Sequence, residues 1–356
     1  MALLSSCNNR GVDKYDALSN SFDSLFNSLY KDGQPGAAVL LVEGDSIIYD
    51  KGFGIADLNT KVPIDGNTFF NIASVSKQFS AVALMILSEE GKLNLDDPVK
   101  KWFPDFKADF YNRITLKHLL SHSSGIPDAR DRSDRDFVLY SKDEESYSYL
   151  KTLDKLNFEP GTSYEYMNPT FQLMYSIVEK ASGENFEKFM KERIFDPAGM
   201  NTTLYFEDGR SIPGMAHGYI PDSTGGFLEY DYGEESFFAT KADGGIYTST
   251  HEFLKWEKAL RNNILISESM KNDAHSPHNV IDPLKGEYYG YGWFISKREG
   301  YPDKIYHTGD NGGFQIYAAR YPSKNILLLI FANRNDKDRE QTAEKCDSIL
   351  KSYNFL

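Results

Sequence analysis

The order of the predicted elements constrains this chain most: strands lie near both ends and helices fill the middle. Strand patterns cover residues 37–49 and, in three runs, residues 304–333. Residues 74–200 are mostly helical, and residues 15–30 and 336–353 add one helix at each end. Because strands joined by short turns pair antiparallel, the pattern predicts an α+β fold. We expect one antiparallel sheet flanked by the terminal helices, with an inserted all-helical region.

The same pattern predicts how the chain is organised. Residues 14–73 and 205–356 should form the α/β sheet region and residues 74–204 the helical region, together one domain. Residues 1–13 are predicted to be an N-terminal tail. Within this tail, residues 4–7 (Leu-Ser-Ser-Cys) resemble the cleavage box of a bacterial lipoprotein signal, although the preceding hydrophobic segment is short. We therefore expect a lipid anchor at Cys7 and a location in the bacterial periplasm or cell envelope.

The composition excludes several classes of function. The chain of 356 residues carries a formal net charge of −13 and has no basic stripe, which argues against nucleic acid as a partner. It has no run of about twenty apolar residues, so no transmembrane helix is predicted. Two cysteines make neither a disulfide framework nor a zinc site. His118 and His122 are four residues apart, but no glutamate lies between them and no third ligand is evident, so we predict no metal and no cofactor.

A serine and a lysine open the first helix of the middle region. Ser74 begins a strongly apolar helix that ends near Gly91, and Lys77 lies one turn further along the same face. A serine hydroxyl becomes a useful nucleophile when a helix N-terminus and an ammonium group lie beside it. The Ser-x-x-Lys pattern also begins at Ser28 and Ser348, so the alternative is a capping serine with a surface lysine.

Two further patterns occur once each in the chain. Tyr166-Met167-Asn168 follows a Pro-Gly turn and precedes a predicted helix, and a tyrosine beside a positive charge can act as a base. The alternative is a core tyrosine followed by a capping asparagine. His307-Thr308-Gly309 ends a predicted strand, and the alternative there is a strand end with a glycine turn.

A different nucleophile is conceivable at Ser123. Residues 121–125 (Ser-His-Ser-Ser-Gly) resemble the nucleophile elbow of the α/β-hydrolases. The first glycine of that motif is missing, and so is the strand-turn-helix context that it requires. An α/β-hydrolase esterase therefore remains a third hypothesis, which the predicted strand order disfavours.

Taken in chain order, the three patterns resemble the motifs of the serine β-lactamase and penicillin-binding protein superfamily, in its class C-like branch. The likeness covers roughly residues 15–350 and includes residues 119–125, 159–161 and 244–249. It implies the β-lactamase/transpeptidase-like fold and a serine hydrolase that needs no cofactor. The catalytic residues that it implies are Ser74, Lys77, Tyr166, Asn168 and His307. The oxyanion and substrate-binding positions that it implies are Ser74, Thr308, Gly309 and Asp310.

The resemblance also implies a role for each group. Ser74 would be acylated while Lys77 and Tyr166 share the proton transfers, either of them serving as the base. Asn168 would hold the substrate amide or the lysine. The backbone N–H groups of Ser74 and Asp310 would form the oxyanion hole, by position only. Water would then release the acyl group.

One departure from the family pattern bears on the substrate. Where β-lactamases of this class usually carry lysine, this chain has His307, which is mostly neutral at pH 7 at its ordinary pKa. We therefore favour a carboxypeptidase, D-aminopeptidase or esterase over an efficient β-lactamase. The expected substrate is a small molecule or a peptidoglycan-like compound, such as an ester, a D-amino-acid peptide or a β-lactam-like amide. The alternative is a penicillin-recognising binding or sensor protein that is acylated with little turnover.

Overall fold

The computed structural model describes residues 14–128, 143–205, 214–230 and 240–356, so the expectation for Cys7 lies outside the described residues. The helices are α1 Lys14–Leu29, α2 Lys77–Glu89, α3 Val99–Trp102, α4 Leu116–Leu120, α5 Asp143–Leu150, α6 Asn168–Ser182, α7 Phe186–Met190, α8 Asp196–Ala198, α9 Lys241–Gly244, α10 Thr250–Arg261, α11 Glu268–Ala274 and α12 Arg339–Ser352. The strands are β1 Ala37–Glu43, β2 Ser46–Phe53, β3 Phe70–Asn71, β4 Leu204–Tyr205, β5 Tyr219–Pro221, β6 Phe227–Glu229, β7 Ile246–Thr248, β8 Asn279–Asp282, β9 Glu287–Tyr289, β10 Phe294–Ser296, β11 Lys304–Asn311, β12 Phe314–Tyr321 and β13 Ile326–Ala332.

An eight-stranded antiparallel sheet joins the two ends of the chain, in the order β2-β1-β13-β12-β11-β10-β9-β8. In its centre β1 pairs with β13, so that Ala37 faces Ala332. The N-terminal hairpin and the three C-terminal strands therefore share one sheet, as the sequence predicts. Strands β8 to β10 were not predicted, because each is only three or four residues long and shows no sustained alternation.

Each face of this sheet is covered by helices. The terminal helices α1 and α12 lie on one face, where Phe22 and Leu350 pack with Leu41 and Leu328 of the sheet. The helical region and α10 lie on the other face, over a second apolar cluster. All seven residues of β13 are buried, because alternate side chains enter opposite cores. The strands nearest the middle of the sheet thus read as continuous apolar runs.

Helix α2 lies in the centre of the second core. Every residue from Lys77 to Leu87 is buried, and Phe79 stacks on Trp256 of α10 at 3.9 Å between ring centroids. A helix that is apolar on all sides is expected to be surrounded by protein. The lysine at its first position is therefore held by the core of the molecule.

Helix α5 differs from its prediction. The acidic segment from residue 143 predicts a solvated helix, but Asp143, Ser146, Tyr149 and Leu150 are buried. Their spacing of three and four residues gives the helix one inward face despite its charges. None of the described helices combines the length and the apolar character needed to cross a membrane.

Candidate active site

Ser74 lies in a tight 3-10 turn, Ala73–Ser76, that runs straight into α2. The turn places Ala73 in the left-handed region with φ +47°, a conformation that costs about 1–3 kcal/mol for a residue with a side chain. The side-chain oxygen of Asn71 accepts a hydrogen bond from the Ala73 backbone N–H at 2.8 Å and so holds the turn. Ser74 is half-buried between fully buried neighbours, so its hydroxyl lies where the core meets solvent.

Strand β11 closes one side of this turn at Gly309. A methyl group on Gly309 would lie 2.5 Å from the carbonyl oxygen of Ile72 and 3.2 Å from the backbone nitrogen of Ser74. Only glycine lets the two backbones approach so closely. The His-x-Gly pattern thus brings β11 against the serine, which the sequence alone could not show.

The ammonium group of Lys77 is fully buried and directed at three oxygens. Its Nζ donates to Ser74 Oγ at 3.1 Å, to Asn168 Oδ1 at 2.7 Å and to the Asp243 carbonyl oxygen at 3.0 Å. The Asp243 carboxylate lies 4.0 Å from the same nitrogen. An ammonium group has three donors, and a buried charge is tolerated when hydrogen bonds and a counter-charge satisfy it. The lysine is therefore fixed beside Ser74 and is not a surface residue.

Tyr166 lies on the other side of this ammonium group. Lys77 Nζ is 5.2 Å from the centroid of the Tyr166 ring. The same ring contacts His122 at 4.3 Å and His307 at 6.1 Å between centroids. At this distance a cation is attracted by the face of an aromatic ring. The structure thus brings the first two motifs into one site.

Asn168 does not cap its helix. The cap position of α6 is Met167, and Pro169 occupies the first turn. The Asn168 side chain instead accepts the hydrogen bond from Lys77, so the capping alternative is wrong. Of the two roles that the resemblance implied, the contact with the lysine is the one present in this geometry.

His307 is buried and held at both ring nitrogens. Its Nδ1 donates to the Thr308 carbonyl oxygen at 2.6 Å, and its Nε2 accepts from the Tyr289 hydroxyl at 3.1 Å. Burial, reinforced by the nearby Lys77 charge, lowers the pKa of His307 to about 3. The imidazole is therefore neutral throughout the physiological range.

Asp310 directs its carboxylate away from the core, where it pairs with Arg339 of α12. The same guanidinium donates to the Gly309 carbonyl oxygen at 3.1 Å. Thr308, between His307 and Gly309, is half-buried in β11. The oxyanion hole formed by the Ser74 and Asp310 backbone N–H groups stays a prediction.

Three residues around the site were not predicted for it. Asp243 supplies a carbonyl and a carboxylate to Lys77, and Tyr289 orients His307. His122 has φ +55° and accepts a hydrogen bond from the Met167 N–H at 3.1 Å. Burial, together with the Lys77 charge, holds the pKa of His122 well below its usual value. The signal for His122 in the sequence was its place in the segment 119–125, whereas its spacing from His118 suggested only a metal site.

Ser123 is not placed as a nucleophile. It is buried, and its hydroxyl shares a 3.0 Å hydrogen bond with the Ser121 hydroxyl. The large sheet is antiparallel throughout, whereas a nucleophile elbow follows a strand of a mostly parallel sheet. His118 accepts a hydrogen bond from the Thr115 N–H and caps α4. In the part of the chain that the structure describes, no group of three potential metal ligands is found.

The site and the fold are those of a serine hydrolase, and comparison with known proteins gives the family. Residues 22–348 match the family model described as Beta-lactamase. The chain belongs to the β-lactamase family and is a serine hydrolase. It is 31% identical over 349 residues to penicillin-binding protein 4* of Bacillus subtilis (strain 168), covering 94% of this chain and 74% of that protein. Protein flp of Staphylococcus aureus (strain COL) is 28% identical over 321 residues (87% of this chain), which span 62% of its length.

Solved structures share the fold. The octameric penicillin-binding protein homologue from Pyrococcus abyssi is 28% identical with a TM-score of 0.84, covering 95% of this chain and 78% of that one. A D-amino acid amidase from Ochrobactrum anthropi SV3 is 23% identical (TM-score 0.78; 96% and 98% covered). EstCE1, a hydrolase with promiscuous acyltransferase activity, is 19% identical (TM-score 0.78; 94% and 99% covered). The predicted superfamily and the β-lactamase/transpeptidase-like fold are thereby confirmed.

Proposed function

We propose that this protein hydrolyses an ester or a D-amino-acid peptide or amide through an acyl-enzyme on Ser74. The observation that carries the proposal is the 3.1 Å hydrogen bond from the buried Lys77 ammonium to Ser74 Oγ. A serine held this way at the start of a buried helix has both the positive field and the proton partner that a nucleophile needs.

Lys77 and Tyr166 divide the proton work. While Lys77 is charged, its three donors are directed to Ser74, Asn168 and Asp243, so Ser74 Oγ accepts a hydrogen bond and its own proton is available to another base. Tyr166, whose ring lies 5.2 Å from Lys77 Nζ, enters the reaction as the phenolate and takes this proton as Oγ attacks the carbonyl carbon. The same proton then goes to the leaving group. In the second half, a water molecule attacks the acyl carbonyl carbon as Tyr166 takes its proton, and the proton passes to Ser74 Oγ as the acyl bond breaks and the acid leaves.

The negative charge that develops on the carbonyl oxygen needs donors on the opposite side. We assign this role to the backbone N–H groups of Ser74 and Asp310, which belong to the turn and strand that meet at Gly309. Each donor of this kind typically contributes about 10²–10³ in rate.

The neutral His307 supports ester and amide substrates over β-lactam acids. A lysine at this position would offer a permanent charge to a substrate carboxylate, whereas this buried imidazole is uncharged and both of its nitrogens are already bonded. A peptidoglycan-like peptide with D-amino acids fits this reasoning if it is recognised through its backbone and not through its terminal carboxylate. The penicillin-binding names of the relatives favour a second candidate, a protein that penicillin acylates with little turnover.

The test compares the wild type with Ser74→Ala and Ser123→Ala on three substrates: p-nitrophenyl acetate, D-phenylalanine p-nitroanilide and benzylpenicillin. We expect Ser74→Ala to lose up to about 10⁶-fold in kcat. Ser123→Ala removes a buried serine from the same region and serves as the matched control. Activity that survives Ser74→Ala but not Ser123→Ala contradicts the assignment.

An intact mass spectrum after exposure to penicillin separates the two candidates. A stable adduct on the wild type and not on Ser74→Ala supports the protein that is acylated with little turnover. Unmodified protein with intact drug, together with turnover of the ester or the anilide, supports the esterase or D-aminopeptidase. Unmodified protein with hydrolysed drug supports a β-lactamase and contradicts the reasoning from His307.

A further inference from the structure

A cavity lined by residues of α10 and α11 lies apart from the Ser74 turn. It has a volume of about 420 Å³ and is bordered by α10, α11 and the ends of β1, β11, β12 and β13. None of the residues of the candidate active site lines it. Its size falls within the usual range for small-molecule sites in proteins.

The cavity has an apolar floor and charged walls. The floor consists of aliphatic side chains from the sheet and from α10: Val42, Leu254, Ile305, Ile326 and Leu327. The ionisable cations on the walls are Lys258, Arg261, Lys271 and Arg320, against two carboxylates, Glu257 and Glu268. The lining residues thus carry a formal surplus of two positive charges, although one of the four cations, Arg261, is paired with Asp45 outside the lining. Low-dielectric walls concentrate such a field and attract anions.

Much of the negative charge is already committed. Glu257 forms a two-point ion pair with Arg320, one contact being 2.6 Å from Arg320 Nη2 to Glu257 Oε2, and both side chains are nearly buried. Lys271 Nζ donates to the carbonyl oxygens of Leu260 and Arg261 at 3.2 Å each, and also to Asn263 Oδ1. Burial first, and then the Arg320 charge, lowers the pKa of Lys271. All three ammonium donors are thus bonded to neutral oxygens, and an anion that replaced one of them would bring a counter-charge to the lysine.

His275 gives an independent indication of a missing partner. It lines the cavity, and its Nε2 atom is buried with no hydrogen-bond partner among the described residues. Leaving a buried polar atom unpaired costs about 1–3 kcal/mol. Burial, with Arg320 and Lys271, holds the pKa of His275 well below its usual value. A bound anion would meet the lysine and the histidine ring together.

We propose that this cavity binds a small amphipathic carboxylate, an apolar body that carries one acid group. The aliphatic floor takes the body, while Lys271 and His275 face the carboxylate. A charge-assisted hydrogen bond to a carboxylate is about twice as strong as a neutral one, which makes the acid group the determinant of selectivity.

Trp293 provides a reporter for binding. Its ring contacts His275 edge-on at 4.7 Å between centroids, and the indole is buried. The probe is octanoate, followed by tryptophan fluorescence and by isothermal titration calorimetry. Octan-1-ol and octylamine have the same body without the negative charge, and acetate has the charge without the body. We expect saturable binding of octanoate, at least tenfold tighter than any of the three.

Two variants locate the site. Lys271→Met should weaken octanoate binding at least tenfold, and Leu254→Trp should abolish it by filling the cavity. Lys345→Met is the matched control, because Lys345 lines a separate surface groove between α1 and α12. Circular dichroism and the melting temperature show that each variant is folded.

Three outcomes overturn the proposal. If octylamine binds as well as octanoate, the negative charge of the ligand does not contribute to binding. If Lys345→Met and Lys271→Met lose octanoate affinity equally, octanoate is attracted non-specifically by the charge of the protein. If octanoate competes with p-nitrophenyl acetate and its affinity for Leu254→Trp is unchanged, it binds in the Ser74 cleft and not in this cavity. This last result leaves the proposed hydrolase function intact, so the two proposals fail separately.

Discussion

Strand β11 passes the Ser74 turn so closely at Gly309 that a single methyl group tests the whole arrangement. In Gly309→Ala the new carbon would lie 2.5 Å from the Ile72 carbonyl oxygen and 3.0 Å from the Ala73 side chain. Carbon–oxygen contacts in proteins start at about 3.3 Å, so strand and turn must separate by roughly 0.8 Å. That movement would shift the Asp310 N–H away from the carbonyl oxygen of a substrate bound at Ser74.

The expected loss follows from this displacement. A misplacement of about 1 Å in a catalytic site can cost about 10²-fold in rate, which is roughly 2.7 kcal/mol in the activation barrier. Overpacking should also lower the free energy of unfolding by about 1–3 kcal/mol. We therefore expect Gly309→Ala to fold, to melt at a lower temperature, and to show a kcat/KM about 10²-fold below the wild type.

The assay is steady-state hydrolysis of p-nitrophenyl acetate, with the melting temperature measured on the same samples. Gly244→Ala is the control, because Gly244 approaches the same turn from another side. Its added methyl group would lie 3.8 Å from the Ala73 carbonyl carbon, an ordinary van der Waals contact. A Gly309→Ala variant within threefold of the wild type, or an equal loss in Gly244→Ala, would refute the reasoning.

Three further predictions concern protons. Tyr166→Phe should lower kcat by about 10²–10⁴ with an unchanged melting temperature, and a loss below fivefold in steady-state assays would exclude Tyr166 as the base. His307→Gln should flatten the pH dependence of stability by up to about 1.4 kcal/mol per pH unit between pH 6.5 and 3, because the unfolded histidine takes up a proton that the buried one, with its pKa of about 3, does not. An unchanged slope in urea unfolding at pH 7, 5 and 4 would contradict it. Burial and the nearby Asp243 raise the pKa of Asp143 to about 8, so the wild type loses stability as pH rises from about 4 to 8. Asp143→Asn should be more stable than the wild type at pH 9 by a larger margin than at pH 5, and a constant difference would argue against the raised pKa.

The sequence carried enough information for the sheet and for the order of the motifs. The apolar runs of β1 and β13 are strong because both faces of these strands are buried, and the helix from Lys77 is apolar on all sides. Strands β8 to β10 could not be predicted, since their three or four residues are stabilised by neighbouring strands and not by their own pattern.

The site was predictable in its parts but not in its contacts. The spacing of Ser74 and Lys77 predicted that they form a pair. Asn168, by contrast, has the sequence position of a helix cap, and only its distance from the lysine reveals its other role. Asp243 is 166 positions from Lys77 and contributes its backbone carbonyl, a group that every residue has. Such a contact leaves no trace in residue type, so only the folded chain reveals it.

The pairing of β1 with β13 has a consequence for how the protein is made. Ala37 and Ala332 are partners 295 positions apart. At about 5–20 residues per second, a ribosome delivers β13 roughly 15–60 seconds after β1. During that interval the nascent chain holds an apolar strand with one edge covered by β2 and the other exposed, which is a template for aggregation. The yield of folded enzyme should therefore depend on how well the exposed edge of this hairpin is covered during translation. A chain that terminates before β13 should not reach the native state.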